Sequence, residues 1–149
     1  MGEFAVKTTI DAPVSAVWSA LADIGEIHAW NPGVVGSHAT SAEPTGLGAT
    51  RHCDLKGNNF LKEEVVTFRP NEAITFRITD TNLPFRSADI RFTLTPDGDQ
   101  TIVTCSPVYK LKFGLFGSLI DALAVRRTYS NGMKSLLWGL KKHVEAERE

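Results

Sequence analysis

Phe4, Val6, Thr8 and Ile10 alternate with Ala5, Lys7 and Thr9 in the stretch EFAVKTTI. This is the two-residue period of a strand with one buried face, and it predicts a first strand over residues 3–10. The period then changes. Pro13 suits the first position of a helix, where an N–H would lack a partner, and Val14, Val17, Trp18 and Leu21 follow along one face at helical spacing. Trp18 therefore points inward, as a packing anchor. After Gly25, EIHAW predicts a second short helical turn, which stops at Asn31-Pro32 because a residue before proline is pushed out of the helical region.

From Gly33 to Phe113 the pattern is that of strands separated by turn chemistry: PTGLG, KGNN, RPNEA, TNLP and PDGD. These interruptions divide the segment into six strands, and strands joined by short turns predict an antiparallel meander. Pro107 cannot donate to a ladder, so the last strand is expected to bulge or to lie partly at an edge there. From Ser118 to Ala146 the sequence reads as one long helix, opened by an S-x-x-D capping box at Ser118 and Asp121 and about 43 Å long at 1.5 Å per residue. At about 100° per residue, Leu119, Ala122, Arg126, Tyr129, Leu137, Leu140 and Val144 fall within about 40° of Met133. Arg126 and Tyr129 thus land on an otherwise apolar face, while Trp138 lies about 140° away from it. Gly132 and Gly139 each lower helix propensity by about 1 kcal/mol against Ala, which suits bending or close packing.

A chain of 149 residues with this order is read as one domain over residues 1–149, large enough to bury about 68–70% of its unfolded surface. The formal charge of -1 and the dispersed Lys and Arg residues give no electrostatic reason for a nucleic-acid or anionic membrane partner. MGEFAVKTTI has no secretory pattern, and Val6 occupies the place where a myristoylation motif has Ser or Thr. The most apolar run, GLFGSLIDALAV, is broken by Asp121 and is shorter than the ~20 residues that span a bilayer, so no membrane insertion is expected. Cys53 and Cys105 are isolated and lack CxxC spacing, which argues against a disulfide scaffold and points to buried thiols in a reducing cytoplasm. His28, His38, His52 and His143 show no metal-ligand spacing, so neither a metal nor a cofactor is expected. PTGLGAT lacks the GK[ST] of a phosphate loop, and there is no GxSxG elbow.

The segments TTIDAPVSAVWSALADI, HAWNPGVVGS, GLGATRHCDL, EEVVTFRPNEAITFRI, LPFRSADIRFTLTPDGDQTIVT and VRRTYSNGMKSLLWGLKKHVE, in this order, resemble the polyketide cyclase/dehydrase and lipid-transport branch of the START-like (SRPBCC, pollen-allergen-like) superfamily. The resemblance covers nearly the whole chain. It implies an α+β helix-grip fold, with a seven-stranded curved antiparallel sheet wrapped around the long C-terminal helix and a largely apolar cavity between them. It also implies a small hydrophobic molecule as partner, and a monomer or homodimer. Fold alone does not fix function, since members include cyclases as well as lipid and hormone binders.

Carried over position by position, the resemblance puts Arg51, Cys53 and Leu55 on the cavity side of the third strand, and Glu63 and Val65 on that side of the fourth. On later strands it selects Phe76, Ala88, Ile90, Phe92, Val103, Cys105 and Tyr109. Many relatives carry large aromatics where this chain has Ala88 and Cys105, which implies a pocket widened locally or filled differently. The fourth strand has two registers open to it. A strict two-residue loop at Gly57-Asn58 sets Glu64 opposite Arg51, whereas the family pattern read back from Pro70 turns Glu63 inward; the second is preferred, because KGNN can hold a longer loop or a bulge.

Arg51 and Glu63, joined by Arg126, would form a partly desolvated charged cluster able to orient a carbonyl or hydroxyl, or to move protons in an aldol-type cyclisation or dehydration. The alternative is a structural ion pair at the cavity mouth. Tyr109 and Tyr129 offer a phenol each, Met133 lies at the centre of the inward helix face, and Trp30 either caps one end of the pocket or is a core aromatic. The catalytic candidates are Arg51, Glu63 and Tyr129, but no residue uniquely fills an acid or base role. Three functions follow: binding of a small hydrophobic or amphipathic ligand such as a lipid, polyketide or aromatic metabolite; a cyclase or dehydratase; or an interaction module using the face around Trp138. The first requires a cavity of about 300 Å³ or more, and the third is favoured by a Trp138 patch with no internal cavity.

Overall fold

The computed structural model describes residues 1–112 and 119–148, with only the backbone described at 119–121. The expected Ser118–Asp121 cap therefore lies outside the described residues. The elements run β1 (Gly2–Glu3), β2 (Val6–Ile10), α1 (Val14–Ala22), a 3-10 helix (Ile24–Ala29), β3 (Val34–Ala39), β4 (Thr50–Leu55), β5 (Asn59–Arg69), β6 (Ala73–Thr81), β7 (Phe85–Asp97), β8 (Gln100–Leu111) and α2 (Leu119–Ala146). The sheet is antiparallel throughout, in the order β1-β8-β7-β6-β5-β4-β3, with β2 also paired to β8.

Eight strand segments replace the expected seven because the first strand is interrupted. β1 and β2 keep one register along β8, Glu3 facing Val108 and Val6 facing Cys105, so Pro107 stands opposite Phe4. The Phe4 N–H donates to the Pro107 carbonyl at 3.3 Å, but Pro107 has no N–H to return, and the ladder breaks in the partner strand. β8 itself neither bulges against β7 at Pro107 nor lies at an edge, since Pro107 pairs with Ile90 in an unbroken stretch.

Register shifts at Val34/Gly36, Lys62/Glu63, Val65/Thr67 and Phe85/Ser87 mark the points where strands bend. Each extra residue increases local twist, which curves the sheet towards α2. In α1, Val17, Trp18 and Leu21 are buried, and Trp18 meets the Phe68 ring edge-on at 5.2 Å. Pro13 is the N-cap of α1, one residue before the expected position.

α2 packs on β2 and α1 through Leu137, Leu140 and Val144. Its C-terminal end is pinned by polar contacts: Lys141 Nζ donates to the Thr9 carbonyl at 2.7 Å, and the Asp11 N–H donates to Glu145 Oε2 at 2.8 Å. Gly139 lies directly against the backbone of Trp30, where a Cβ would stand 2.0 Å from the Trp30 carbonyl oxygen. The expected close packing is thus found at Gly139, and it seats the helix on the segment before Pro32.

Candidate functional site

The β4–β5 turn decides which carboxylate enters the interior. Leu55 pairs with Asn59, leaving Lys56, Gly57 and Asn58 as a three-residue loop in which Gly57 (φ 76°) and Asn58 (φ 61°) take the left-handed conformation. That loop sets Arg51 opposite Glu63, and Glu64 opposite Thr50. Arg51 and Glu63 are 4% and 3% exposed. Arg51 Nε donates to Glu63 Oε1 at 3.0 Å and Nη1 donates to the Ile24 carbonyl at 3.0 Å. The guanidinium carbon lies 3.9 Å from the centre of the Phe76 ring. Burial, an ion pair, a carbonyl and an aromatic face together hold this arginine in one place.

The pair borders a partly open cavity of about 200 Å³ between the sheet and α2. β4 contributes Arg51, Cys53 and Leu55, β5 contributes Leu61 and Glu63, and β6 contributes Phe76 and Ile78. Phe85, Ile90 and Phe92 come from β7, and Tyr129, Gly132, Met133 and Leu136 from α2. Ile27, Asn31, Gly33 and Val34 close the end under the 3-10 helix. The volume is below the ~300 Å³ set above for ligand binding, which counts against that function for a drug-sized molecule held wholly inside. One cause is the ring cluster beside it, in which Tyr129 stands 4.9 Å from Phe85, 5.2 Å from Tyr109 and 5.3 Å from Phe4.

The Tyr129 hydroxyl is buried and has no hydrogen-bond partner among the described residues. Burial, with a smaller contribution from the Glu63 charge, pushes its phenol well above the ordinary range. It is a neutral phenol, able to donate or accept, and not a phenolate. The Cys53 thiol is pushed up to about 12, chiefly by burial, with Arg51 opposing. Cys105 is likewise pushed up to about 12 by burial, and its Sγ lies 3.8 Å from Met133 Sδ. Neither is an activated nucleophile. Among the described residues no group of three or more His, Cys, Asp or Glu side chains has the arrangement of a metal site.

Several expected site residues lie elsewhere. Arg126 is exposed and lines an outer groove with Arg86 and Lys110. Its angular position on α2 is as expected, but helical phase alone does not bury it. Trp30 is a buried core aromatic under α2 and does not line the cavity. Ala88, Cys105 and Tyr109 are buried but are not part of the cavity wall, and Ala88 faces Tyr109 across the ladder. The interior beside them is filled by rings and is not widened. Val65 and Val103 are fully buried core. Leu61 and Ile78, which the sequence reading passed over, continue the two-residue period of Glu63 and Phe76. Leu83 lies in a turn signal and Gly132 reads only as a helix-weakening glycine, while Phe85, at the start of a strand, is not singled out.

A curved antiparallel sheet closed by one long helix, with an apolar cavity holding a few convergent polar groups, defines a START-like helix-grip protein. The chain matches the family model described as polyketide cyclase/dehydrase and lipid transport over residues 1–145, and it belongs to that family. No curated protein matches it. Among solved structures, it is similar to the Zhui aromatase/cyclase from Streptomyces sp. R1128, at 17% identity and a TM-score of 0.82, covering 99% of this chain and 96% of that one. It is also similar to a START superfamily protein from Mycobacterium smegmatis, at 19% identity and a TM-score of 0.75, covering 97% of each chain. Major latex-like protein 151 from Panax ginseng shares 18% identity with a TM-score of 0.73, covering 95% of this chain and 96% of that one. Family and fold together point to hydrophobic-ligand binding or cyclase-type chemistry. No helix among the described residues is long and apolar enough to cross a membrane.

Proposed function

We propose that residues 1–149 form a single cytoplasmic ligand-binding domain, monomeric or homodimeric, that holds a small, mainly apolar molecule carrying one polar group. The observation that carries this reading is the buried Tyr129 hydroxyl, without a partner among the described residues, on the wall of an apolar cavity that also contains Arg51 and Glu63. A buried hydroxyl without a partner costs about 1–3 kcal/mol, and a ligand oxygen at that point removes the cost. The small cavity argues against a whole lipid held inside it. A 150 Å³ apolar cavity takes benzene, so about 200 Å³ suits a substituted ring.

Native mass spectrometry of protein purified without denaturation tests this directly. A co-purifying molecule of that size, lost in Tyr129→Phe, supports the reading. Protein that carries nothing, and shows no binding to a panel of substituted phenols, would sink it.

The second reading is a cyclase or dehydratase, favoured by the presence of a carboxylate on the sheet side and a neutral phenol on the helix side of one cavity. It requires Glu63 or Tyr129 to come within ~2.6–3.2 Å of the proton it moves. Turnover of a linear poly-β-ketone thioester to a cyclised product, abolished in Glu63→Gln, would establish it; turnover unchanged in Glu63→Gln and Tyr129→Phe removes both as catalysts. Trp138 is exposed, as an interaction module needs, but the internal cavity weighs against that function.

A further inference from the structure

The inner cavity does not stand alone. Leu83, Phe85, Tyr129 and Gly132 line it and also line a second, outer space of about 390 Å³. The rest of that outer wall is Pro84, Ala124, Val125 and Thr128, so it is an apolar groove between the β6–β7 turn and the N-terminal half of α2. The four shared residues border both spaces, as the residues of a throat between them would.

Three sides of this throat are bulky and one is empty. Gly132 lies about 100° round the helix from Met133, on the flank that also carries Tyr129 and Leu136. A Cβ built there meets nothing within 4 Å. Gly132 is not needed for close packing, as Gly139 is, and no positive φ requires it. In mid-helix it is a poor choice for stability, since Ala at the same place would favour the helix. A glycine that neither packing nor conformation demands, placed where two spaces meet, has one evident consequence: it leaves the passage open.

We infer that Gly132 is the residue that sets entry to the cavity and the size of ligand admitted, so that a compact ring with its oxygen on Tyr129 sits inside and any larger apolar remainder lies in the outer groove. This rests on the ligand-binding reading above. Leu83 borders the same two spaces from the sheet side, so narrowing at either residue should have the same effect.

The test uses the full chain and 2-naphthol, a fused ring pair with one hydroxyl, followed by stopped-flow fluorescence and equilibrium titration, with thermal unfolding as the control. Gly132→Ala is expected to raise the melting temperature, because it gains helix propensity and its methyl meets nothing within 4 Å. Gly132→Phe is expected to slow association about ten-fold or more without lowering the melting temperature. Leu83→Trp, on the sheet side, is expected to slow it likewise, and it carries the test if Gly132→Phe does not fold. Association unchanged in both Gly132→Phe and Leu83→Trp overturns the assignment of the throat while leaving ligand binding intact. Failure of the parent protein to bind 2-naphthol, phenol or any substituted phenol overturns the ligand-binding reading, and this inference with it.

Discussion

The Arg51–Glu63 pair supplies the sharpest test of whether the cavity is built for the fold or for a ligand. Both side chains are more than nine-tenths buried and joined at 3.0 Å, and Arg51 also donates to the Ile24 carbonyl. Arg51→Met removes one charge and strands the other, which for a buried pair costs about 3–5 kcal/mol. Loss of the guanidinium from the Phe76 face adds about 0.5–2 kcal/mol. Glu63→Leu strands the arginine at a similar cost, reduced by the Ile24 carbonyl that still accepts from it. The double replacement leaves no buried charge, and apolar substitutes for buried ion pairs are often neutral or better. Its net effect should stay within about 2 kcal/mol of the parent, the orphaned Ile24 carbonyl being the main loss. Urea unfolding of all four proteins gives the coupling energy directly, expected at about 3 kcal/mol or more, with unchanged m-values confirming comparable unfolded states. A loss below about 1 kcal/mol in Arg51→Met would mean that the pair is effectively solvated, and the desolvated-cluster argument would fail. A stable double variant that no longer binds a phenol would show that the charges serve the ligand.

Gly139→Ala should destabilise, because its methyl would stand 2.0 Å from the Trp30 carbonyl oxygen and 2.9 Å from Pro32 Cδ; overpacking at about 1–3 kcal/mol or more exceeds the gain of about 1 kcal/mol in propensity. A melting temperature equal to or above that of the parent would refute the seating of α2 on that segment. Tyr129→Phe should leave stability unchanged or raise it by about 1 kcal/mol, since it removes an unpartnered buried hydroxyl, while phenol affinity falls about ten-fold for the lost hydrogen bond. Stability and affinity falling together, in calorimetry on the same samples, would contradict that assignment. Cys53 and Cys105, ordinarily near 9.0 and raised to about 12, should resist iodoacetamide at pH 8 until the chain is unfolded. The sign for stability follows from the unfolded chain releasing those protons first. Stability is intact below pH 9 and falls as pH rises towards 12, by up to about 1.4 kcal/mol per pH unit for each thiol. A denaturation midpoint unchanged between pH 9 and 11 would count against both shifts.

Period and punctuation carried most of the architecture. The inward stripe of α2 was readable from helical phase, and Leu137, Leu140 and Val144 are buried as that phase requires. Phase gives direction but not depth, and Arg126 shows the difference: it points along the same stripe but beyond the packed region. The choice between Glu63 and Glu64 turned on one residue of loop length. Gly57 and Asn58, two residue types that tolerate the left-handed region, sit side by side there, consistent with either hairpin until the pairing of Leu55 with Asn59 is known. The volume of the cavity was not legible at all, because it depends on where the rings of Phe4, Phe85, Tyr109 and Tyr129 come to rest across four separate elements.

The stripe on α2 changes character at one point along its length, and that point locates the site. Towards the C-terminus it is Leu136, Leu137, Leu140 and Val144, all buried, and the helix seals the core there. One and two turns earlier it becomes Met133, Gly132 and Tyr129, the packing opens, and the buried charges Arg51 and Glu63 face the gap from the sheet. A sealed interface at this place could be made with leucines, so stability alone does not account for an ion pair, an unpartnered phenol and a glycine gathered at one spot. Each lowers or fails to improve stability by itself, and together they form a polar wall, a hydrogen-bonding group and an opening. Under the ligand-binding proposal, their value lies in what the cavity admits.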